Sequence, residues 1–133
     1  MSSLVKPMSS RPAGTVLVVE DARDVREFFA RVLLDAGYRV ECAESVQQAL
    51  RVLRARQGVD VVFADYNLVD GTGTELIHQA SNEGHLDMNV TAALICTAYR
   101  YVELPPHVTL VHKPIDPGGL LLAISRALKE HIA

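Results

Sequence analysis

An open, doubly wound five-stranded parallel β-sheet is the fold class that this sequence predicts. Three observations point to it. Short β-branched runs alternate with amphipathic helical patterns in the order βαβαβαβ–β–α. The strands are apolar on both faces, as strands covered by helices on each side must be. Their polar residues are confined to the C-terminal ends. Right-handed crossovers restrict the possible topologies, and strand order 2-1-3-4-5 is the leading choice.

Residues 1–13 are Ser- and Pro-rich without periodicity and read as a disordered tail. "TVLVVED" (15–21) is the first strand, a β-branched run bounded by acids. "DVREFFARVLLDAGY" (24–38) sets Val25, Phe28, Phe29, Val32 and Leu33 at helical spacing, with Gly37 as the stop. "RVECA" (39–43) is the second strand. The next helix, 45–58, takes Ser45 as N-cap, turns Val46, Ala49, Leu50 and Leu53 inward, and ends at Gly58. "VDVVFAD" (59–65) is the third strand, and a short helix over 74–84 buries Leu76 and Ile77. "AALICTA" (92–98) and "TLVHKP" (109–114) are the fourth and fifth strands. The last helix, 116–131, has Asp116 as N-cap, Pro117 as first residue, and Leu120, Leu121, Ile124 and Leu128 on its apolar face.

The bulk composition excludes several classes. At 133 residues the chain fits one domain, with an apolar fraction of 49% and a charged fraction of 22%. A net charge of −3 and the lack of a basic stripe argue against nucleic-acid binding. No apolar run is long enough to span a membrane, and the N-terminus lacks a secretory pattern, so a cytoplasmic protein is expected. Cys42 and Cys96 read as small buried apolar residues. Three strand spacings, about 14 Å, separate them in the expected order, too far for a disulfide within the monomer.

The strand ends carry the chemistry. Strand 1 ends in Glu20-Asp21, strand 3 in Asp65, strand 4 in Thr97-Ala98 and strand 5 in Lys113-Pro114. In the expected order these four strands are adjacent, so the polar residues converge in the crevice where open α/β sheets bind ligands. Three close carboxylates repel one another unless a cation neutralises them. A hard divalent ion with oxygen ligands, Mg²⁺, suits such a site. With Lys113 and the Thr97 hydroxyl added, the set matches what proteins use to hold a transferring phosphoryl group. Asp65 is then the nucleophile.

The pattern "VLVVED…VVFADYNLVDGTG…LICTA…LVHKP", over about residues 14–131, resembles the receiver domain of two-component response regulators, whose sheet is flavodoxin-like. The 44-residue step from Asp21 to Asp65 fits that layout. The resemblance implies Asp65 as phosphoacceptor, Asp21 as a direct Mg²⁺ ligand, Glu20 as the holder of a metal-bound water, and Asn67 as the donor of a backbone carbonyl to the metal. It also implies that Thr97 hydrogen-bonds the phosphoryl group beside a small Ala98, that Lys113 pairs with that group, and that the bond before Pro114 is cis. A histidine kinase or histidine phosphotransfer protein is the implied phosphodonor, and only intrinsic self-phosphorylation and self-dephosphorylation are expected. Gly71 and Gly73 read as turn residues, and the five histidines (78, 85, 107, 112, 131) lack metal-ligand spacing.

The sequence departs from the family pattern in places. Only 15 residues separate Thr97 from Lys113, and residues 99–108 include Pro105 and Pro106. The fourth helix is therefore expected to be missing or vestigial. Leu110 stands where the family usually has Tyr or Phe, so reordering of residues 99–108 is expected to carry the signal instead. Val69 replaces a frequent proline, and Tyr99 holds the position that influences water access. The chain is expected to be a stand-alone receiver or one cut from a larger protein such as a hybrid kinase, whose short connections "YRYVELPP" resembles, and no output domain is expected after the last helix. Two other readings stand beside this one. "DYNLVDGTG" resembles the D-x-D-G-T motif of haloacid-dehalogenase phosphatases, but Asn67 replaces its second acid and the motif should follow the first strand. A degenerate receiver acting only as a binding module is disfavoured because all five site residues are present.

Overall fold

The structure, a computed structural model, describes residues 13–56 and 58–132; the expected tail, but for Ala13, lies outside the described residues. The chain runs β1 (Thr15–Val19), α1 (Arg23–Asp35), β2 (Arg39–Ala43), α2 (Val46–Ala55), β3 (Val61–Asp65), β4 (Asn67–Leu68), β5 (Gly71–Thr72), α3 (Gly73–Asn82), β6 (Ala92–Thr97), β7 (Val108–His112) and α4 (Pro117–Ile132). The main sheet has order β2-β1-β3-β6-β7 and every pair in it is parallel. That is the expected 2-1-3-4-5. A small antiparallel pair, β4 and β5, sets Asn67 opposite Thr72 and Leu68 opposite Gly71 in what reads from the sequence as a plain loop.

Strand alternation divides the core in two. On one face Val16, Val18, Phe63 and Leu94 pack against Phe29 and Leu33 of α1 and Leu120 and Ile124 of α4. On the other, Leu17, Val19, Val62 and Ile95 meet Ala49, Leu50 and Leu53 of α2 and Leu76, Ile77 and Ala80 of α3. Caps fix where most of the helices start. The Ser45 hydroxyl accepts from the Gln48 amide at 3.0 Å, and Thr72 and Glu75 form a reciprocal capping box on α3. Asp70, in the turn between β4 and β5, accepts from the Val46 and Gln47 amides at 2.7 and 3.0 Å, which ties the β3–α3 loop to the start of α2. Asp116 caps α4 as expected, accepting from the Gly119 amide at 2.7 Å. Helix α1 differs: Ala22 is its N-cap and supplies no side-chain acceptor.

Several expectations need correction. Phe28 is 43% exposed, because consecutive helical residues lie about 100° apart and Phe29 takes the centre of the apolar face. Cys42 is exposed, since β2 is an edge strand that its helices cover incompletely; both cysteines are free. Arg56, not Gly58, caps α2, and Gly58 (φ +86°) instead turns the chain toward β3. Glu20 and Asp21 lie just beyond β1, and Lys113 just beyond β7. Gly73 is the buried first residue of α3 rather than a turn residue.

No helix forms between β6 and β7. Leu104 and Val108 pack against the α2/α3 core in its place, and Pro105 sits over a groove beside Val46 and His78. The covering role of a helix has passed to single side chains of an extended segment.

A Cβ on Gly73 would lie 2.6 Å from the Asp65 carbonyl oxygen and 2.7 Å from Ile95 Cδ1. Gly73→Ala is therefore expected to cost about 1–3 kcal/mol in urea unfolding, because α3 can relieve the clash only by pushing on the end of β3. A variant as stable as wild type would show that α3 is free to shift.

Candidate functional site

The C-terminal ends of β1, β3 and β6, with the residue after β7, bring the expected residues to one place. Oxygens of Glu20, Asp21 and Asp65 all lie within 4.8 Å of one another. Glu20 and Asp65 are buried, at 3% and 9% exposure, whereas Asp21 faces solvent. The Lys113 ammonium lies 3.0 Å from Asp65 Oδ2 and 3.4 Å from Glu20 Oε1. The other Glu20 oxygen, Oε2, accepts from the Ala22 amide at 3.1 Å. Lys113 is placed through its backbone, whose amide donates to the Thr97 carbonyl at 2.8 Å, and the bond to Pro114 is cis as expected.

The electrostatics follow from burial. Burial raises the Glu20 carboxyl above its ordinary range; the Ala22 amide opposes the shift, Asp65 adds to it, and Lys113 opposes it. For Lys113, burial disfavours the charged form, but its hydrogen bond to Asp65 and the charges of Asp65 and Glu20 outweigh this and raise it. Behind the site, burial pushes the Cys96 thiol up to about 11, so it is an inert packing group as expected.

Thr97 is 2% exposed, and its Oγ1 accepts from the Tyr99 amide at 3.1 Å. Tyr99 is 51% exposed and leans edge-on against Tyr66, with ring centroids 5.9 Å apart. Its hydroxyl accepts from the Asn67 side-chain amide at 3.1 Å, and the Asn67 backbone amide lies 3.4 Å from Asp65 Oδ1. The Asn67 side chain is thus engaged outward, toward the rim. On the opposite side lies an apolar groove of 500 Å³, lined by Val25, Phe28, Phe29, Ala98, Pro114 and Ile115 with Asp24 and Lys113 at its polar end.

Sequence reasoning misses three contributors. Tyr66 buttresses Tyr99, its own amide held by the Cys96 carbonyl at 2.8 Å. Gly73 allows α3 to meet the Asp65 carbonyl, although "DGTG" does signal an unusual backbone there. Arg26 donates to the Glu20 and Asp21 carbonyls at 2.8 and 3.4 Å. No sequence signal marks a contact to backbone oxygens. Among the described residues the potential metal-holding group is the acidic one, Glu20, Asp21 and Asp65.

Comparison with known proteins agrees with this geometry. The family model for the response regulator receiver domain matches residues 16–125. Protein Rrf1 of Nitratidesulfovibrio vulgaris is 30% identical over 118 residues, covering 87% of this chain and 83% of that protein. The two-component response regulator ORR8 of Oryza sativa subsp. indica is 35% identical over 71 residues, 53% of this chain and 59% of that protein, so the match spans about three fifths of the rice relative. Among solved structures, the receiver domain of the hybrid histidine kinase CckA superimposes with a TM-score of 0.75 at 28% identity, covering 86% of this chain and 99% of that one. The chemotaxis response regulator CheY4 of Vibrio cholerae gives 0.75 at 27% identity, covering 86% and 98%. The family match over most of the chain, on a sheet whose strand ends gather three acids, a lysine and a threonine, establishes that the chain belongs to the response regulator receiver domain family.

Proposed function

We propose that Asp65 accepts a phosphoryl group from the phosphohistidine of a histidine kinase or histidine phosphotransfer protein, within a receiver domain spanning residues 14–131. The observation that carries this reading is the buried Asp65 carboxylate at a sheet edge, with Glu20 and Asp21 oxygens within 4.8 Å and Lys113 at 3.0 Å. In the transfer, an Asp65 oxygen attacks phosphorus while the phosphorus–nitrogen bond of the donor breaks. The bonding electron pair returns to the imidazole.

The acidic set fits a hard divalent cation, since its three carboxylates are offset by one lysine. Glu20, Asp21, Asp65 and the Asn67 carbonyl would hold Mg²⁺, which supplies charge neutralisation for the phosphoryl oxygens. Lys113 pairs with the incoming group from its place beside Asp65. Because the Tyr99 amide already donates to Thr97 Oγ1, the threonine hydrogen is left to donate to a phosphoryl oxygen. The apolar groove shares Ala98 and Lys113 with the site, which supports docking of the donor over Phe28 and Pro114. The phosphoryl group adds a charge of about −1.5 to −2 at the rim that Tyr99 and Asn67 share. With Leu110 only half-buried on the edge strand β7, the signal passes through residues 99–108 rather than through an aromatic side chain.

Incubated with acetyl phosphate and Mg²⁺, the wild-type chain is expected to take up one phosphoryl group and Asp65→Asn none, by intact-mass measurement. Catalytic turnover of a generic phosphomonoester would instead favour the phosphatase reading, which the family match does not support. Tyr99→Ala is expected to shorten the phosphoaspartate lifetime severalfold, since its hydroxyl holds Asn67, two residues after Asp65, at the rim of the site; an unchanged decay would remove Tyr99 from that role. Amide chemical shifts recorded with and without a phosphoryl mimic are expected to move across 99–108. Shifts confined to the acidic pocket would overturn the proposed signalling segment.

A further inference from the structure

Arg26 lies in the first turns of α1, and its side chain is only 16% exposed. Its Nη1 donates to the Glu20 carbonyl at 2.8 Å and reaches the Asp21 carbonyl at 3.4 Å. Nη2 lies 3.8 Å from Glu44, an exposed partner that contributes little in water. The guanidinium therefore spends its strongest contacts on the backbone of the acidic loop. The Glu20 amide is held by the Ala43 carbonyl at 3.0 Å, but Ala22 at the N-cap offers the start of α1 no side-chain acceptor. Glu20 is fixed by burial, Lys113 and the Ala22 amide. Asp21 is exposed; its side chain meets that of Glu20, and its backbone carbonyl is one that Arg26 grips.

We propose that Arg26 is a positioning residue for the divalent-cation site: its Nη1, shared between the Glu20 and Asp21 carbonyls, holds the loop so that the Asp21 carboxylate stays beside Asp65. The inference rests on reading the acidic cluster as a Mg²⁺ site. Geometry and charge predict opposite signs for the loss of this side chain. Removing a cation near three carboxylates makes the pocket more negative and, by Coulomb attraction alone, tightens Mg²⁺ binding. Releasing the loop disperses the ligands and weakens it.

The test is titration of the unphosphorylated full chain with Mg²⁺, followed by calorimetry and by amide shifts of the acidic loop. Arg26→Met is expected to raise the Mg²⁺ Kd about tenfold or more, in the range found when residues that orient metal ligands are removed. Arg26→Lys, which keeps the charge but puts its nitrogen on a shorter stem than the one that carries Nη1, is expected to fall in between. In phosphorylation from acetyl phosphate, the Mg²⁺ concentration at half-maximal rate should rise while the rate at saturating Mg²⁺ holds. An unchanged or lower Kd in Arg26→Met, checked for a cooperative thermal transition, overturns the proposal. If that variant does not fold, an unchanged Kd in Arg26→Lys does so. Failure of the underlying reading looks different: wild type would bind no Mg²⁺, or Asp21→Asn would bind it as well as wild type, and the inference would fall with it.

Discussion

The ammonium of Lys113 is the constraint on which the site depends. Two carboxyl groups, Glu20 and Asp65, are buried side by side at the end of the sheet, and a buried anion is costly unless a charge and hydrogen bonds compensate it. Lys113 touches both, at 3.4 and 3.0 Å. Three carboxylates against one ammonium leave the pocket short of positive charge, a deficit that a divalent cation would offset. The same contact explains why the strand order matters. Lys113 follows β7, Asp65 ends β3 and Glu20 follows β1, and parallel pairing through β6 places all three at one end of the sheet.

Around that charge centre the two rims differ in kind. One is apolar and shaped by α1, with exposed Phe28 beside Pro114 and Ile115. The other is polar and aromatic, where Asn67, Tyr66 and Tyr99 connect the loop after β3 to the segment that follows β6. In the absence of a helix there, that segment is held by few contacts: the Tyr99 interactions, a His112–Arg100 hydrogen bond at 3.2 Å, and the packing of Leu104 and Val108. Segments with few buried contacts open at low free energy, which makes this one suited to respond to a change at Asp65.

How much of this was legible in the sequence follows from the range of the forces involved. Strand and helix identities were, because burial imposes its periodicity locally; so were the five polar residues, because a charged group at the end of an apolar run stands out. The absent helix was legible too, since two prolines in so short a connection leave it no room. Boundaries moved by one to three residues, and Phe28 and Cys42 turned outward, because which neighbours cover a residue depends on how the helices seat on the sheet.

By itself, then, the sequence determined the fold class, the strand order and the residues of the acidic pocket, through periodicity and through the family pattern they compose. Only the tertiary structure decided how those residues are held. Arg26 grips backbone carbonyls, Gly73 makes room for α3 against Asp65, and Tyr66 supports Tyr99. Each of these contacts joins separate elements or uses backbone atoms common to every residue, so no side-chain pattern along the chain could announce it.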